Sequence, residues 1–382
     1  MLVSLHDWLL ERAAETGGDI GPWRILDFIT VRAALALTLA FLISLAIGPG
    51  VIRWLRRIKA GQIIRSSRRS GAVDLSAMHG TKAGTPTMGG MLMLVSTIVP
   101  VVLLCRISNP YVLLLLAMTT GYGLLGFWDD YLKVLKRNHI GVRPWGKIIV
   151  QATLGLGLGL VLLGGDFPVS YAVTGDTGYA YLTMPFFKYL YLPMGLMFVP
   201  FVVVVMLATS NAVNLTDGLD GLAIGVTIAN VAAFLIIGYL VTRVDFARYL
   251  LVPFVDGGAE IVVFLGALLG ASLGFLWFNA HPAEVFMGDT GSMMLGGALG
   301  TTAVLLKQEL LLVVIGGVFV VEACSVILQV GAFKLTGTRL FRMSPLHHHY
   351  EKHGLQESKI ITRFWIISWL LAMAGLAMLK LR

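Results

Sequence analysis

The chain has 382 residues, of which 57% are hydrophobic and only 13% are charged. Because an average soluble domain is about 25% charged, this composition and a mean hydropathy of +0.82 exclude an ordinary soluble domain. The formal net charge is +8, but it is distributed over separate loops and is not a nucleic-acid signal.

Ten apolar stretches approach the ~20 residues that a helix needs to cross a bilayer. The sequence predicts them at about 25–49, 88–107, 111–128, 147–164, 196–213, 222–241, 259–278, 287–306, 310–334 and 361–380. The predicted fold class is therefore an all-α polytopic membrane protein, with 1–382 as a single integral membrane domain.

Basic residues predict the orientation of these spans. An even number of spans places both termini on one side, and alternate loops carry most of the Lys and Arg. Since such loops face the cytosol, both termini and the segment 1–24 are predicted to be periplasmic. The cytosolic loops are then at about 50–87, 129–147, 213–222, 279–290 and 334–361. The outer loop at 165–195 is predicted to contain a small hairpin, with its tyrosines in an interfacial belt.

The loop before the second span reads MHGTKAGTPTMGG, with the donors His79, Lys82, Thr85 and Thr87 among glycines. The GxxxxGK[ST] pattern of a P-loop is absent. The segment is predicted either to face a phosphate or to be a flexible connector.

Two acids close the third span in GFWDDYLKV, where Lys133 is within one helical turn of Asp129 and Asp130. Adjacent helical side chains point about 100° apart, so the pair cannot easily share one ion. One carboxylate is expected to bind a metal or its water and the other to act as a base. A solvated helix end with a salt bridge is the alternative.

A glycine-broken polar stretch, NAVNLTDGLDGLA, separates the fifth and sixth spans. Backbone N–H groups at such a turn can hold an anion or read a base edge, so Asp217 and Asp220 predict a ligand pocket. A tight turn capped by aspartate fits the pattern equally well. The amides Asn211 and Asn214, which precede the turn inside the span, favour the pocket.

The eighth span opens with Asp289 in FMGDTGS, after Asn279, His281 and Glu284. A simple N-cap accounts for an aspartate at this place. The density of polar groups between two spans also predicts a metal ligand, and the helix N-terminus favours a phosphate.

Glu322 lies near the middle of the ninth span, and Gln329 follows on the same helix face. A carboxylate at that depth is expected to face protein or a water-filled groove, or to make an inter-helix hydrogen bond. Gly316 and Gly317 predict a bend in the same helix.

The last cytosolic loop carries three histidines at 347–349, after Ser344-Pro345. Adjacent side chains diverge and cysteine ligands are absent, so a zinc site is weakly supported. Phosphate contact or acid–base work is predicted, with a solvated loop as the alternative.

Five strings resemble, in this order, the phospho-N-acetylmuramoyl-pentapeptide transferases, a branch of the polyprenyl-phosphate N-acetylhexosamine-1-phosphate transferase superfamily. They are TPTMGG, DDYLK, NLTDGLDGLA, PAEVFMGDTGS and SPLHHHYE. The resemblance covers roughly residues 20–382, and its first and last strings point to the muramoyl-pentapeptide branch. It implies ten transmembrane helices, periplasmic termini, a cytosolic-face active-site cleft and location in the bacterial inner membrane.

The resemblance also implies a reaction that depends on Mg²⁺. Phospho-N-acetylmuramoyl-pentapeptide passes from its UDP-linked donor to undecaprenyl phosphate, which yields lipid I and UMP for peptidoglycan synthesis. Direct attack and a covalent aspartyl-phosphate intermediate both stay open. The expected partners are the two substrates and the lipid bilayer, without nucleic acid. A homodimer, and peptide or nucleoside inhibitors at the cytosolic cleft, are further expectations.

Roles follow from the resemblance by motif. Asp289 is implied as the principal Mg²⁺ ligand, with Asp129 and Asp130 at the metal and Asp129 also as the base for the lipid phosphate. Asp217, His347 and His348 are implied as further catalytic residues. The implied substrate-binding residues are Lys82, Thr87, Lys133, Lys147, Asn214, Gly218, Leu219, Asp220, Asn279, Phe286, Gln329 and His349. Among these, Phe286 would stack on the uracil and Asp220 would accept from its N–H.

Two other functions stay open on the sequence. The nearest is transfer of N-acetylglucosamine-1-phosphate from UDP-N-acetylglucosamine, from which the histidine loop discriminates. The other is a transporter or flippase for a polyprenyl-linked sugar. Its charges should gather near the midplane, where only Glu322 is predicted to lie.

Overall fold

The computed structural model describes residues 1–16, 21–58, 84–134, 141–171, 175–187 and 189–381. Helices dominate these ranges. They are α1 Leu2–Thr16, α2 Ile29–Arg57, α3 Gly90–Leu104, α4 Pro110–Val134, α5 Pro144–Gly164, α6 Phe198–Thr216, α7 Leu222–Val241, α8 Val244–Leu250, α9 Glu260–Asn279, α10 Gly288–Leu305, α11 Glu309–Ile315, α12 Gly317–Thr336, α13 Leu346–Lys352 and α14 Glu357–Leu381. The strands are β1 Val169–Ser170, β2 Tyr181–Thr183, β3 Tyr191–Pro193 and β4 Phe254–Val255.

Eight helices of the described chain are long and apolar enough to cross a membrane, which confirms an all-α polytopic membrane protein. They are Ile29–Arg57, Pro110–Val134, Pro144–Gly164, Gly195–Thr216, Leu222–Val241, Glu260–Asn279, Gly317–Thr336 and Glu357–Lys380. The other two predicted spans correspond to α3, which has 15 residues, and to α10, where Gly, Thr and Ser dilute the apolar residues.

Several helices extend beyond the predicted apolar stretches. Helix α2 continues to Arg57 and α4 to Val134, while α14 begins at Glu357. Hydropathy marks where apolar side chains stop, whereas a helix ends where its backbone hydrogen bonds end. Asp129 and Asp130 therefore lie inside α4, and Lys133 is held on the same helix in reach of Asp129, as predicted.

The ninth predicted span is broken where its two glycines lie. Helix α11 ends at Ile315 and α12 begins at Gly317, which confirms the predicted bend. The loop after α12, predicted as a connection, contains the short helix α13 with the three histidines.

Helices α7, α9 and α10 form the centre of the bundle, and every residue of α10 from Thr290 onward is buried. Helix α9 packs mainly on α2, and α10 packs mainly on α4. A Cβ atom at Gly126 would overlap the backbone carbonyl of Asp289, so only glycine allows α4 and α10 to cross there. This crossing brings the end of α4 against the start of α10.

The predicted hairpin forms between the antiparallel strands β2 and β3. The predicted tyrosine belt is wrong for Tyr171 and Tyr179, which are buried. Tyr171 packs on Tyr181 and Tyr191, and the Tyr179 hydroxyl donates to the Leu305 carbonyl at 2.7 Å. Tyr171 therefore packs on the rings of the hairpin, and Tyr179 satisfies a carbonyl at the end of α10.

Candidate active site

Three carboxylates converge where α4 crosses α10. Asp129 and Asp130 come from the end of α4, and Asp289 is the second residue of α10. One oxygen of each lies within 4.8 Å of the others. We call these three residues the aspartate cluster. Carboxylates at this spacing are a set that can hold a divalent cation together with water or phosphate.

Asp130 is buried and fixes the start of α10. Its Oδ1 accepts from the backbone N–H of Asp289 at 3.1 Å, and its Oδ2 accepts from the N–H and hydroxyl of Thr290 at 2.9 and 2.6 Å. Gly288 has φ +72°, and a Cβ there would lie 2.6 Å from Asp130 Oδ2. Asp130 thus caps this helix, a role that was the alternative interpretation of Asp289.

Two lysines bridge the other two carboxylates. Lys147 Nζ lies 2.8 Å from Asp129 Oδ2 and 2.7 Å from Asp289 Oδ2. Lys133 Nζ lies 2.9 Å from Asp289 Oδ2 and also pairs with Asp129. Val142 donates its backbone N–H to Asp129 Oδ1 at 2.7 Å. Both lysines were implied as substrate-binding residues, and the structure places them directly on the candidate metal ligands.

The two asparagines of α6 have different surroundings. Asn214 donates to Asp289 Oδ1 at 3.0 Å and to the Ser292 hydroxyl at 2.9 Å, so it belongs to the site. Asn211 donates instead to Gln151 of α5 at 3.0 Å. The bond between Asn211 and Gln151 joins α6 to α5. Asn211 therefore does not belong to the predicted ligand pocket.

Asp217 follows the last residue of α6 and is partly buried. Desolvation is the main cause that raises its pKa to about 8, with further contributions from the negative charges of Asp289, Asp130 and Asp220. A carboxyl with such a pKa holds a proton near neutral pH. It can therefore donate a hydrogen bond or exchange a proton beside the aspartate cluster.

Side chains and backbone groups lock the turn after Asp217. The N–H of Gly221 donates to Asn279 Oδ1 at 3.1 Å, and Asn279 Nδ2 donates to the Val285 carbonyl at 2.9 Å. From α14, Trp365 donates to the Gly221 carbonyl at 3.1 Å. Asn279 is buried and holds this turn against the segment before α10, while Leu219 is buried within it.

A second group of titratable side chains braces the same turn. Asp220 accepts from the Ala283 N–H at 3.1 Å through Oδ2, and its own N–H donates to Glu357 Oε1 at 3.0 Å. His281 Nδ1 lies 3.4 Å from Asp220 Oδ2 and 3.7 Å from Glu357 Oε2. These contacts join the turn to the start of α14. They could not be predicted from spacing along the chain, because Glu357 is 137 residues from Asp220.

The TPTMGG segment lies against the residues that precede α10. Phe286 donates to the Pro86 carbonyl at 2.8 Å, and Gly89 donates to the Phe286 carbonyl at 2.9 Å. Thr87 is buried beside Gly288, with its hydroxyl 2.9 Å from where a Cβ of that glycine would be. Thr87 therefore lies beside Gly288 and Asp130, while Phe286 is joined to the TPTMGG segment through its backbone. Lys82 and His79 lie outside the described residues.

The three histidines at the start of α13 have separate contacts. His347 is buried, and any Cβ at Gly218 would overlap its Nε2. His348 Nδ1 lies 2.6 Å from Glu351. His349 Nδ1 accepts from the Arg342 N–H at 3.2 Å. Of the three, His347 is the one that contacts the turn after Asp217. We call this turn, which contains Gly218, Leu219, Asp220 and Gly221, the Gly218 turn.

Two side chains of α12 hold the histidine loop. Gln329 exchanges two hydrogen bonds with the backbone of Phe341, at 3.1 and 2.8 Å. Glu322 accepts from the N–H groups of Leu346 and His347. The seven-residue spacing of Glu322 and Gln329 correctly predicted that they share one face of the helix. Nothing in the sequence predicted that the backbone of the histidine loop is their partner.

Comparison with known proteins identifies the relatives of this chain. The sequence model described as Glycosyl transferase family 4 matches residues 112–307. A phospho-N-acetylmuramoyl-pentapeptide-transferase of Citrifermentans bemidjiense is 47% identical over 364 residues, which are 95% of this chain and 97% of that protein. The protein of that name from Geobacter sp. strain M21 has the same identity and coverage.

The chain belongs to the phospho-N-acetylmuramoyl-pentapeptide transferase family. Within the family match, residues 112–307 contain the aspartate cluster and the Gly218 turn. The histidine triplet lies beyond that range, but the alignment with the phospho-N-acetylmuramoyl-pentapeptide transferases spans almost the whole chain.

Proposed function

We propose that this protein transfers phospho-N-acetylmuramoyl-pentapeptide from its UDP-linked donor to undecaprenyl phosphate, giving lipid I and UMP. An oxygen of the lipid phosphate forms a bond to the β-phosphorus of the donor. The bond between that phosphorus and the bridging oxygen breaks, and UMP leaves with the electron pair. The relationship to two transferases of this name over 95% of the chain carries the proposal.

The proposed metal is Mg²⁺, with Asp289 as principal ligand and Asp129 and Asp130 beside it. Mg²⁺ takes oxygen ligands and needs only one or two carboxylates when phosphates and water complete its shell, and three carboxylates within 4.8 Å supply more than that. When bound, the ion supplies charge stabilisation at the pyrophosphate of the donor. Asp130 keeps the start of α10 in place by its bonds to Thr290.

Asp129 is the proposed base that takes the proton of the lipid phosphate. It is buried, and the backbone N–H of Val142 fixes one of its oxygens. Lys133 and Lys147, which now bridge Asp129 and Asp289, have the reach to turn their ammonium groups towards incoming phosphates. Asp217, His347 and His348 are proposed to take part in proton transfer or charge stabilisation around these atoms.

The nucleotide is proposed to bind at the locked turn of Gly218, Leu219 and Asp220. Phe286 would stack on the uracil, with Asn279, Asn214, Thr87 and Lys82 around the nucleotide and its phosphates. Several of these side chains already hold backbone groups in the structure, so their proposed contribution includes keeping the turn rigid before substrate arrives. Gln329 and His349 are proposed to line the same cleft.

Ten transmembrane helices, with both termini periplasmic and the cleft cytosolic in the bacterial inner membrane, are also part of the proposal. The distribution of Lys and Arg supports that orientation. The lipid phosphate must arrive laterally, and the break after Ile315 leaves α12 with exposed apolar residues, including Ile327, Leu328 and Phe333. We propose that the lipid phosphate reaches the site laterally along this helix. We also propose that the protein forms a homodimer and that peptide or nucleoside inhibitors bind at the cleft.

The test is UMP release by purified protein with Mg²⁺, undecaprenyl phosphate and either of two donors. We expect release with UDP-N-acetylmuramoyl-pentapeptide, dependent on the lipid and abolished by EDTA. Release with UDP-N-acetylglucosamine instead would place the protein in the sister branch. A folded sample that releases UMP from neither donor would contradict transferase activity and favour the transporter alternative.

A further inference from the structure

Glu322 is a fully buried carboxylate that has no place in the reaction as proposed above. Its Oε2 accepts from the backbone N–H of Leu346 at 2.7 Å, and its Oε1 accepts from the N–H of His347 at 3.1 Å. These are the first two N–H groups of α13, which have no partner within their own helix. The residue before them is Pro345, which makes no side-chain cap. Glu322, which belongs to α12, therefore caps the N-terminus of α13.

The same carboxylate also faces the ring of His347. Nδ1 lies 3.3 Å from Glu322 Oε1, a distance that suits an ion pair although the atoms are not aligned for a hydrogen bond. On the other side of the ring, Nε2 abuts Gly218, where any side chain would overlap it. His347 is thus clamped between Glu322 and the turn that follows Asp217.

We propose that Glu322 is a positioning residue, which holds His347 against Gly218 by fixing the start of α13. The inference rests on the proposed function, because Glu322 would join the histidine triplet to the Gly218 turn, where the nucleotide is proposed to bind. The clamp spans three parts of the chain: α12, the start of α13 and the turn after α6.

The chemistry of the contact explains why a carboxylate is needed. A buried charge is costly unless hydrogen bonds compensate it, and here two N–H donors at a helix start do so, where the helix dipole also favours negative charge. Glutamine offers one oxygen and one amide nitrogen. Its NH₂ group would face a backbone N–H, donor against donor, so one of the two bonds would be lost.

The experiment is a double-mutant cycle on the full-length protein in detergent. In UMP release with the pentapeptide donor, Glu322→Gln is expected to lower kcat/KM at least about tenfold. In a His347→Ala background the same change should cost less than about threefold, because the residue acts through His347. Losses that multiply independently in the double variant would overturn the proposal. Glu11→Gln, the same substitution at an exposed position of α1, is the control.

A separate readout follows the loop itself. Trypsin cleavage at Arg339 and Arg342 should be at least about fivefold faster in Glu322→Gln, since the loop loses an anchor, and equal rates would overturn the clamp. If Glu322→Gln does not fold, Glu322→Asp replaces it in both experiments, because it keeps both oxygens one methylene short. A wild type that releases no UMP contradicts the proposed function alone, while the cleavage comparison still tests the clamp.

Discussion

Charge is buried at both ends of this helix bundle, but its balance differs. At the starts of α2 and α9, Arg32 pairs with Glu260 at 2.8 Å. Past the end of α10, Lys307 pairs with Glu309 at 2.7 Å, and both side chains are fully buried. Arg32 and Lys307 each face one carboxylate, and Glu260 also lies 3.9 Å from the partly exposed Arg106. Lys307 also donates to the Tyr179 carbonyl at 3.2 Å, which joins the segment before the β2–β3 hairpin to the residues after α10.

At the other end of α10, the aspartate cluster places three carboxylates against Lys133 and Lys147 among the described residues. Negative charge is in excess there, and the lysines are partly exposed. A matched buried pair is closed, whereas an excess of carboxylates leaves room for a further cation. The balance of charge, more than its burial, therefore separates the structural ion pairs from the proposed reactive site in this protein.

The largest effect is expected for Asp289→Asn. It should lower kcat for UMP release by on the order of 10³-fold, because several kcal/mol of charge stabilisation would depend on the proposed metal site. The melting temperature in detergent should fall only slightly, because the variant loses the ion pairs of Asp289 with Lys133 and Lys147 while both lysines keep Asp129 as a partner. Retention of most of the activity would refute the comparison.

Glu260→Ala should have the opposite profile. It leaves Arg32 buried without its partner, so the protein should lose about 3–5 kcal/mol of stability, seen as a lower melting temperature. The folded fraction should keep the kcat of the wild type. Asp245→Ala is the matched control, because that carboxylate is 86% exposed and 3.8 Å from Arg243, where a pair contributes less than about 1 kcal/mol. A loss of kcat with unchanged melting would show that the distant pair is not merely structural.

A smaller effect is expected for Lys147→Met. The ammonium group competes with a cation for Asp129 and Asp289. Its removal should therefore lower the Mg²⁺ concentration needed for half-maximal UMP release, while kcat falls about tenfold from loss of the proposed phosphate contact. A higher Mg²⁺ requirement would mean that the lysine helps to build the metal site.

The smallest effect concerns the pH dependence of stability. The pKa of Asp217 is raised from 3.8 to about 8 by burial, so the folded protein holds a proton that the unfolded chain releases. Stability from this group is lost as pH rises from about 4 to 8. Asp217→Asn without Mg²⁺ should raise the melting temperature more at pH 9 than at pH 6. An equal gain at both pH values would contradict the raised pKa.

Much of the fold and part of the site are local properties of the sequence. Apolar length predicted the eight helices of the described chain that can cross a membrane, since such a helix must cover the hydrocarbon thickness. Spacing alone placed Lys133 in reach of Asp129, and paired glycines predicted the break after Ile315. The acidic motifs marked the aspartate cluster because carboxylates are rare among apolar helices.

Other features depend on contacts between distant residues, which spacing along the chain does not encode. Asn211 and Asn214 look alike in sequence, yet only Asn214 reaches Asp289, because α6 turns the other towards α5. Asp130 caps α10 because Gly126 lets two helices cross. Glu322 reaches the start of α13 because the chain returns to it after 25 residues. Sequence determined which chemical groups the membrane protein carries, and tertiary packing decided which of them meet.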